Sequence, residues 1–555
     1  MSAPTPTLAE RFLARVAERP DADALIFVGD NDQDQCFSFS HLLSESARFA
    51  ALLAKHGIGR GDLVLIALPA SPAQVFAFWG TLLLGATPSL FPYPRPKGLD
   101  AQLRALAEAS GARAVLADGE IGAWETRVAG RDCPLLDVRS LPASAPPPEL
   151  VGVGDADIAY MQFTSGTTGR SKGVMLSHGA VLRFCVGFAE ALSLHDADIS
   201  INWLPLYHDF GLFAGLVVPL LHGSPVVLMS PLKWVRHPAA FFAAIHRHRA
   251  TLTWSSNAAY LHAVHNVRDQ DLDGIDLGSL RCWIAGGEPV LYDCQQAFYE
   301  RIARYGLRED AILAGYGMAE NTLSVSVARP GRRVTVDWVN MAALIRHGRA
   351  EPLERADPRS RPIVSSGPPL PGTEVRIVAA DGQPLGKRAV GAIEIRTPSL
   401  FSGYHGHPDL TARMLRADGW YHTGDSGYLA DGQLYVFGRR DDLIKHAGHG
   451  IHPQDIEAIA EALPEVRPGR SAAFGVPDEH LGSERIVLAC DLAPGISEAD
   501  HPRIEREIRR RVYAELQVAL GELLLSRRGW VVRTANGKLS RGASREKYLH
   551  MTRAP

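Results

Sequence analysis

The sequence predicts an α/β protein: a large N-terminal domain of α/β subdomains with a β-rich subdomain, hinged to a small α+β C-terminal domain. Three observations carry this expectation. Helix-like segments alternate with short, continuous apolar runs that end in Gly or Pro, as parallel strands buried on both faces do. After about residue 365 the pattern changes to mostly antiparallel strands with tight Asp-Gly turns. Between 439 and 450, "RRDDLIKHAGHG" packs charge and glycine where a core strand would not continue, and a hinge is expected there. The expected division is 1–440, with the β-rich part at about 365–440, and 441–555. A chain of 555 residues is too long for one ordinary core.

The elements follow in order. The first twenty residues, "MSAPTPTLAERFLARVAERP", read as a short polar leader and an amphipathic helix; no basic start precedes an apolar run, so no signal peptide is expected. "DLVLIALP" (62–69) is a buried strand, followed by an apolar helix at 72–84 and then "TPSLFPYP". "ARAVLAD" (112–118), "SPVVLMS" (224–230) and "LRCWIAGG" (280–287) repeat the motif. Two apolar stretches, 73–91 and 211–229, are interrupted by Gly, Pro and polar residues. Each reads as a buried helix followed by a buried strand, not as a membrane span of about 20 apolar residues. "LPASAPPPEL" (141–150) is a connector. Strands are expected within 372–385, 390–400 and 419–439, then a helix at 453–463, a strand at 484–492 and a helix at 501–518.

Composition bounds the function. The chain is 46% hydrophobic and 21% charged with a net charge of −3, so it is globular and lacks the basic field of a nucleic-acid binder. Its six cysteines include no Cys-x-x-Cys pair and sit in apolar surroundings. They read as reduced core thiols of a cytoplasmic protein.

One short stretch raises the chemical question. "FTSGTTGRSKG" (163–173) holds three glycines, five hydroxyls and two cations without a carboxylate. Successive glycines let backbone N–H groups converge on phosphate oxygens. It is not a Walker loop, because Lys172 is followed by Gly173. Six further segments come in order: "WLPLYHDFGL" (203–212), "AGGEP" (285–289), "GYGMAE" (315–320), "GWYHTGD" (419–425), "GRRDDLIK" (438–445) and "TANGKLSR" (534–541). Together they resemble the adenylate-forming superfamily of acyl-CoA synthetases, non-ribosomal adenylation domains and luciferases, over about residues 10–550.

The resemblance implies ATP and Mg²⁺ as cofactors, and a role for each matching position. Thr164, Ser165, Gly166, Thr167, Thr168 and Gly169 would hold the β- and γ-phosphates, with Lys172 steadying the loop. Tyr316 would be the shelf beside adenine, continued by Gly317, Met318 and Ala319, with Gly287, Glu288 and Pro289 lining its other side. Asp425 would accept both ribose hydroxyls, and Arg439 would contact ribose or phosphate. Glu320, with Thr167, would hold the metal. His208 would sit near the reacting carboxylate. Lys538 would be the catalytic cation of adenylation, and Asp441 the hinge about which a mobile C-terminal domain alternates between adenylation and thiol transfer.

Within the superfamily the chain resembles stand-alone fatty acyl-AMP ligases, which load acyl carrier proteins. The supporting segments are "LPLYHDFGL", "HPQDIE" (452–457) and "FPYPRP" (91–96). So is the long interval between Glu320 and Gly367, whose segment 336–362 fills the place of that branch's insertion. Its first part, "VDWVNMAALI", is expected to dock on the large domain, and its charged, Pro-broken second part to lie at the surface. "AGHGIHP" (447–453) instead resembles CoA ligases, so CoA stays open as acceptor. The chain ends soon after Lys538, so a carrier partner is expected in trans. The expected substrate is a fatty acid. A catalytically silent nucleotide-binding scaffold is the alternative from another class.

Overall fold

The computed structural model describes residues 6–29, 33–92, 99–119, 127–128, 131–150, 152–164, 172–446, 449–478, 483–516, 518–533 and 539–553. The helix Leu8–Glu18 opens the chain on a capping box: the Thr7 hydroxyl accepts from the Glu10 N–H, and Glu10 accepts from the Thr7 N–H. Its Phe12 ring stacks on Trp79 at 4.4 Å, anchoring it to the apolar helix Pro72–Leu83.

Among the described residues the largest sheet has eight strands. Their order is Ser324–Val327, Ile312–Gly317, Cys282–Ala285, Leu252–Ser255, Ser200–Asn202, Val226–Met229, Asp23–Val28 and Asp34–Ser38. The interior pairs are parallel; only the two edge strands run antiparallel. Continuous apolar runs are required because helices cover both faces. Val226 and Leu228 enter one core, Val227 and Met229 the other. A second, wholly parallel sheet orders Thr87–Leu90, Leu63–Ala67, Ala114–Ala117 and Leu135–Asp137. The apolar stretches 73–91 and 211–229 each form a buried helix followed by a buried strand, and no helix among the described residues is long and apolar enough to cross a membrane.

The β-rich part is an antiparallel sheet of Glu374–Val378, Gly391–Arg396, Tyr421–Ala430 and Gln433–Arg439. Asp431 and Gly432, at φ 49° and 75°, join its last two strands in the primed turn that the Asp-Gly pair favours. Between Glu320 and Gly367 the chain makes an antiparallel pair, Val336–Asn340 with Ser360–Val364, and a short helix, Met341–His347. The C-terminal domain is a sheet of Val466–Asp478, Ser483–Leu492 and Glu522–Ser526, with helices Pro453–Glu461, His501–Leu516 and Arg541–Arg553.

The expected fold class is the observed one, with three differences. The strands Val466–Asp478 and Glu522–Ser526 were not anticipated. Of the six free cysteines five are buried as expected, but Cys36 is exposed, on the edge strand Asp34–Ser38. The insertion's first part docks on the large domain, and also on the small one. Asp337 accepts the Tyr428 hydroxyl at 2.6 Å and pairs with Arg388 at 2.9 Å. Trp338 meets Tyr292 edge-on at 5.4 Å, with Arg355 over the Trp338 ring. Val339, Met341 and Leu344 share one buried cluster with Ile504, Ile508 and Val512 of the helix His501–Leu516. Arg361 binds Glu515 of the same helix at 2.9 Å. Most of 345–359 lies at or near the surface, as expected.

Candidate active site

The site residues gather beyond the carboxyl ends of the parallel strands Leu252–Ser255, Cys282–Ala285 and Ile312–Gly317, where open α/β sheets bind ligands. Just past Ala285, Gly287 turns the chain at φ 79°. Asn257 then clamps the loop. Its backbone N–H donates to Glu288 at 2.9 Å, its side-chain amide donates to the Pro289 carbonyl at 2.8 Å, and its Oδ1 accepts from the Leu291 N–H.

Tyr316, Gly317, Met318 and Ala319 leave the next strand. Gly317 has no alternative, because a Cβ there would stand 1.9 Å from the Leu323 carbonyl. The Tyr316 hydroxyl donates to Asp425 Oδ2 at 2.5 Å, joining the two residues across 109 positions of sequence. Burial raises the Asp425 carboxyl above the usual carboxylate range; Arg439 and the Tyr316 bond oppose it, and the charge of Glu320 adds to it. Arg439 Nε stands 3.8 Å from Asp425 Oδ1 and pairs with Asp425 across the strands Tyr421–Ala430 and Gln433–Arg439.

Glu320 sits in a tight turn. The chain reverses at Thr322, a β-branched residue at φ 63°, ψ −53°, with the Leu323 N–H donating to the Asn321 carbonyl at 2.6 Å. This is the rare, strained form of the γ-turn. Such strain persists where the surroundings over-determine it, and here Thr322 is fully buried with its hydroxyl on the Ser399 carbonyl. Glu320 Oε1 accepts the Tyr404 hydroxyl at 2.6 Å, and Tyr421 stands 3.0 Å behind. Oε2 has no partner among the described residues, where no group of three or more His, Cys, Asp or Glu side chains could hold a metal alone. A lone carboxylate with one oxygen free fits Mg²⁺, which keeps its waters and takes other ligands from phosphate.

The strands Ile158–Thr164 and Lys172–Ser177 pair in the register Thr164 with Lys172, so they bring together the ends of the glycine-rich loop. Ser165, Gly166, Thr167, Thr168 and Gly169 lie outside the described residues, as does the Thr164 side chain. The Lys172 ammonium lies 5.7 Å over the Tyr404 ring. His208 follows nearby: Gln162, on the first of those strands, donates to the Tyr207 carbonyl at 2.9 Å. His208 Nδ1 stands 2.6 Å from Asp209 Oδ1. After Asp209 the helix Phe210–Val217 takes π form, a rarity often found at functional sites. Gly211 and Gly215 allow it, since Cβ atoms there would meet Pro205 and Asn202 at 2.3 Å.

Lys538 also lies outside the described residues, but Arg533 and Leu539 on either side of it pair with one another. Burial, with the charge of Arg470, lowers the Arg533 guanidinium below its usual range. Gln454 comes within 3.2 Å of where a Gly438 Cβ would stand, and Pro289 within 3.6 Å. Asp441 lies in the 3₁₀ turn Arg440–Asp442, and Asp442 pairs with Arg541 at 3.2 Å. Sequence reasoning named neither Tyr404 nor Tyr421 as site residues; Tyr421 stood in plain view inside "GWYHTGD".

This constellation on this fold defines an adenylate-forming enzyme. The model of the AMP-binding enzyme family matches residues 12–405. A Caulobacter vibrioides protein provisionally named an acyl-CoA synthetase is 31% identical over 93% of this chain and 91% of its own. The medium-chain-fatty-acid–[acyl-carrier-protein] ligase JamA of Moorena producens is 29% identical over 92% of this chain and 89% of its own. A structure from a study of fatty acyl-adenylate ligases of E. coli and L. pneumophila superposes with TM-score 0.89 and 27% identity, covering 99% of both chains. The chain belongs to the AMP-binding enzyme family and is an ATP-dependent, acyl-adenylate-forming ligase of a carboxylic acid, most like the fatty acyl-AMP ligases.

Proposed function

We propose that this enzyme activates a fatty acid in the cytoplasm and transfers the acyl group to the phosphopantetheine thiol of an acyl carrier protein. In the first step a carboxylate oxygen attacks the α-phosphorus of ATP and the bond to pyrophosphate breaks. In the second the thiol sulfur attacks the acyl carbonyl, AMP leaves, and the thiol proton passes to solvent.

The residue roles are part of this reading. Tyr316 flanks adenine and Asp425 takes the ribose hydroxyls, with Arg439 beside it. The 164–169 loop receives the phosphates, steadied by Lys172. Glu320 and Thr167 would hold Mg²⁺, which when bound neutralises phosphate charge. His208, its Nδ1 turned to Asp209, positions the acid. Lys538 stabilises the charge that develops as pyrophosphate leaves. We place the domain boundary at 440/441 with Asp441 as hinge.

The observation that carries the acceptor is the insertion's double docking. Its apolar residues complete a core shared with the C-terminal domain, and Arg361 adds an ion pair. Rotating that domain must break this contact. A small diffusing thiol brings little binding energy to the task, whereas a carrier protein brings an interface, the differential affinity that a population shift requires. The CoA reading draws on the 447–453 segment.

The test incubates enzyme, ATP, Mg²⁺ and a panel of fatty acids with either holo carrier protein or CoA, and reads products by mass spectrometry. Acyl-AMP and acyl-carrier are expected, with little acyl-CoA. Leu344→Ser, which loosens the insertion from the small domain, should raise acyl-CoA while acyl-AMP persists. Efficient acyl-CoA formation by the intact protein would overturn the carrier reading and leave the adenylation chemistry in place.

A further inference from the structure

The segment 401–405 touches the two phosphate-facing parts of the site at once. The Phe401 N–H donates to the backbone carbonyl of Glu320 at 2.8 Å. Gly403 and Tyr404 pair with Met175 and Val174 on the strand that leaves the glycine-rich loop. The His405 N–H donates to the Gly173 carbonyl at 2.8 Å. Tyr404, only 5% exposed, therefore has a fixed backbone and a buried ring.

Its hydroxyl has one proton, and the 2.6 Å contact to an acceptor-only carboxylate uses it. In the 3.0 Å contact between the two tyrosines, Tyr421 must then be the donor. The result is a directed chain, Tyr421 to Tyr404 to Glu320 Oε1. The Tyr404 ring carries the Lys172 ammonium on its face at 5.7 Å.

We propose that Tyr404 is a positioning residue for metal binding: it fixes the Glu320 carboxylate so that Oε2 alone is presented, and it couples that carboxylate to the lysine of the phosphate loop. The inference rests on Glu320 as the metal carboxylate. Partners behind a metal ligand orient it and tune its affinity, and their loss commonly weakens binding about 10–100-fold. Tyr404→Phe removes the hydroxyl and keeps the ring under Lys172. Tyr421→Phe leaves Tyr404 in place without its own donor and should have a smaller effect.

The experiment reads Mn²⁺ binding in the presence of a non-hydrolysable ATP analogue, by the electron-spin-resonance signal of free Mn²⁺, beside the Mg²⁺ dependence of pyrophosphate release. Tyr404→Phe is expected to weaken Mn²⁺ binding about tenfold or more, to raise half-saturating Mg²⁺ in parallel, and to leave thiolation from supplied acyl-AMP unchanged. Glu320→Gln is the control that separates the two levels. If it leaves Mn²⁺ affinity intact, the metal role of Glu320 fails, and this inference with it. If it abolishes affinity while Tyr404→Phe matches wild type, only the positioning role is overturned. A Tyr404→Phe protein that loses both half-reactions equally, with unchanged Mn²⁺ affinity, likewise overturns it. Should Tyr404→Phe not fold, unaltered Mn²⁺ affinity in Tyr421→Phe refutes the directed chain.

Discussion

Replacing Tyr316 by Phe keeps the ring proposed to flank adenine and deletes the hydroxyl that donates to Asp425 at 2.5 Å. The carboxyl is already raised by burial, and this bond is one of the two interactions holding it down. A hydrogen bond to an ionised group is worth about 1.5–3 kcal/mol, and about 1.4 kcal/mol corresponds to one pH unit. Without the donor the ionised form loses that support, so the Asp425 carboxyl is pushed further above the usual carboxylate range. Ribose binding, as proposed, needs the ionised carboxylate. The acid limb of kcat/KM for ATP, which reports the free enzyme, should therefore move up by about 1–2 pH units. The loss should be greatest at low pH and should fade above the new pKa. The assay is pyrophosphate release at limiting ATP across pH 5–9, at saturating acid and Mg²⁺. An acid limb that stays in place or moves down refutes the reasoning. A loss equal at every pH would mean that the hydroxyl serves packing or binding and not the charge state of Asp425.

Lys538→Ala should lower adenylation about 10²–10³-fold while sparing transfer of supplied acyl-AMP to a thiol, measured as separate half-reactions; equal losses would remove its assignment to the first step. Asp441→Pro fixes φ near the value a 3₁₀ turn already uses, so adenylation should survive and thiolation should fall, and normal turnover through both steps would move the hinge elsewhere. Asp455 is buried on the helix Pro453–Glu461, where burial and Glu457 raise its pKa to about 7 against the pull of Arg541. The folded state therefore binds a proton that the unfolded state releases from about pH 4 upward, and stability falls as pH climbs from there to about 7. Asp455→Asn should raise Tm by a few degrees more at pH 8 than at pH 5, and an equal change at both would remove the titration from the account.

The parts of this fold legible in the sequence are those whose side chains repeat one environment. Leu63–Ala67 and Cys282–Ala285 are buried at every position, so a continuous apolar run announces them. Val466–Asp478 escaped notice because it opens with "VRPGR", two cations around Pro and Gly, and its pairing slips between Val466 and Ser471 before becoming regular. The π form of Phe210–Val217 has no periodic signature in a segment that is apolar all round. At the site, motifs marked positions but not partnerships. Tyr404 meets Glu320 across 84 residues and Tyr316 meets Asp425 across 109, and nothing local in either segment encodes a contact that the sheets create.

The core shared by the insertion and the C-terminal domain also bears on how the chain is made. Synthesis runs from the N-terminus, so Val339, Met341 and Leu344 emerge long before Ile504, Ile508 and Val512, the residues that bury them. Until the helix His501–Leu516 leaves the ribosome, that apolar face waits uncovered, with Tyr435 and Phe437 of the same cluster beside it. A fragment cut at the hinge would keep this unsatisfied surface permanently. It should therefore associate with itself or with chaperones more readily than its own tightly packed sheets would suggest.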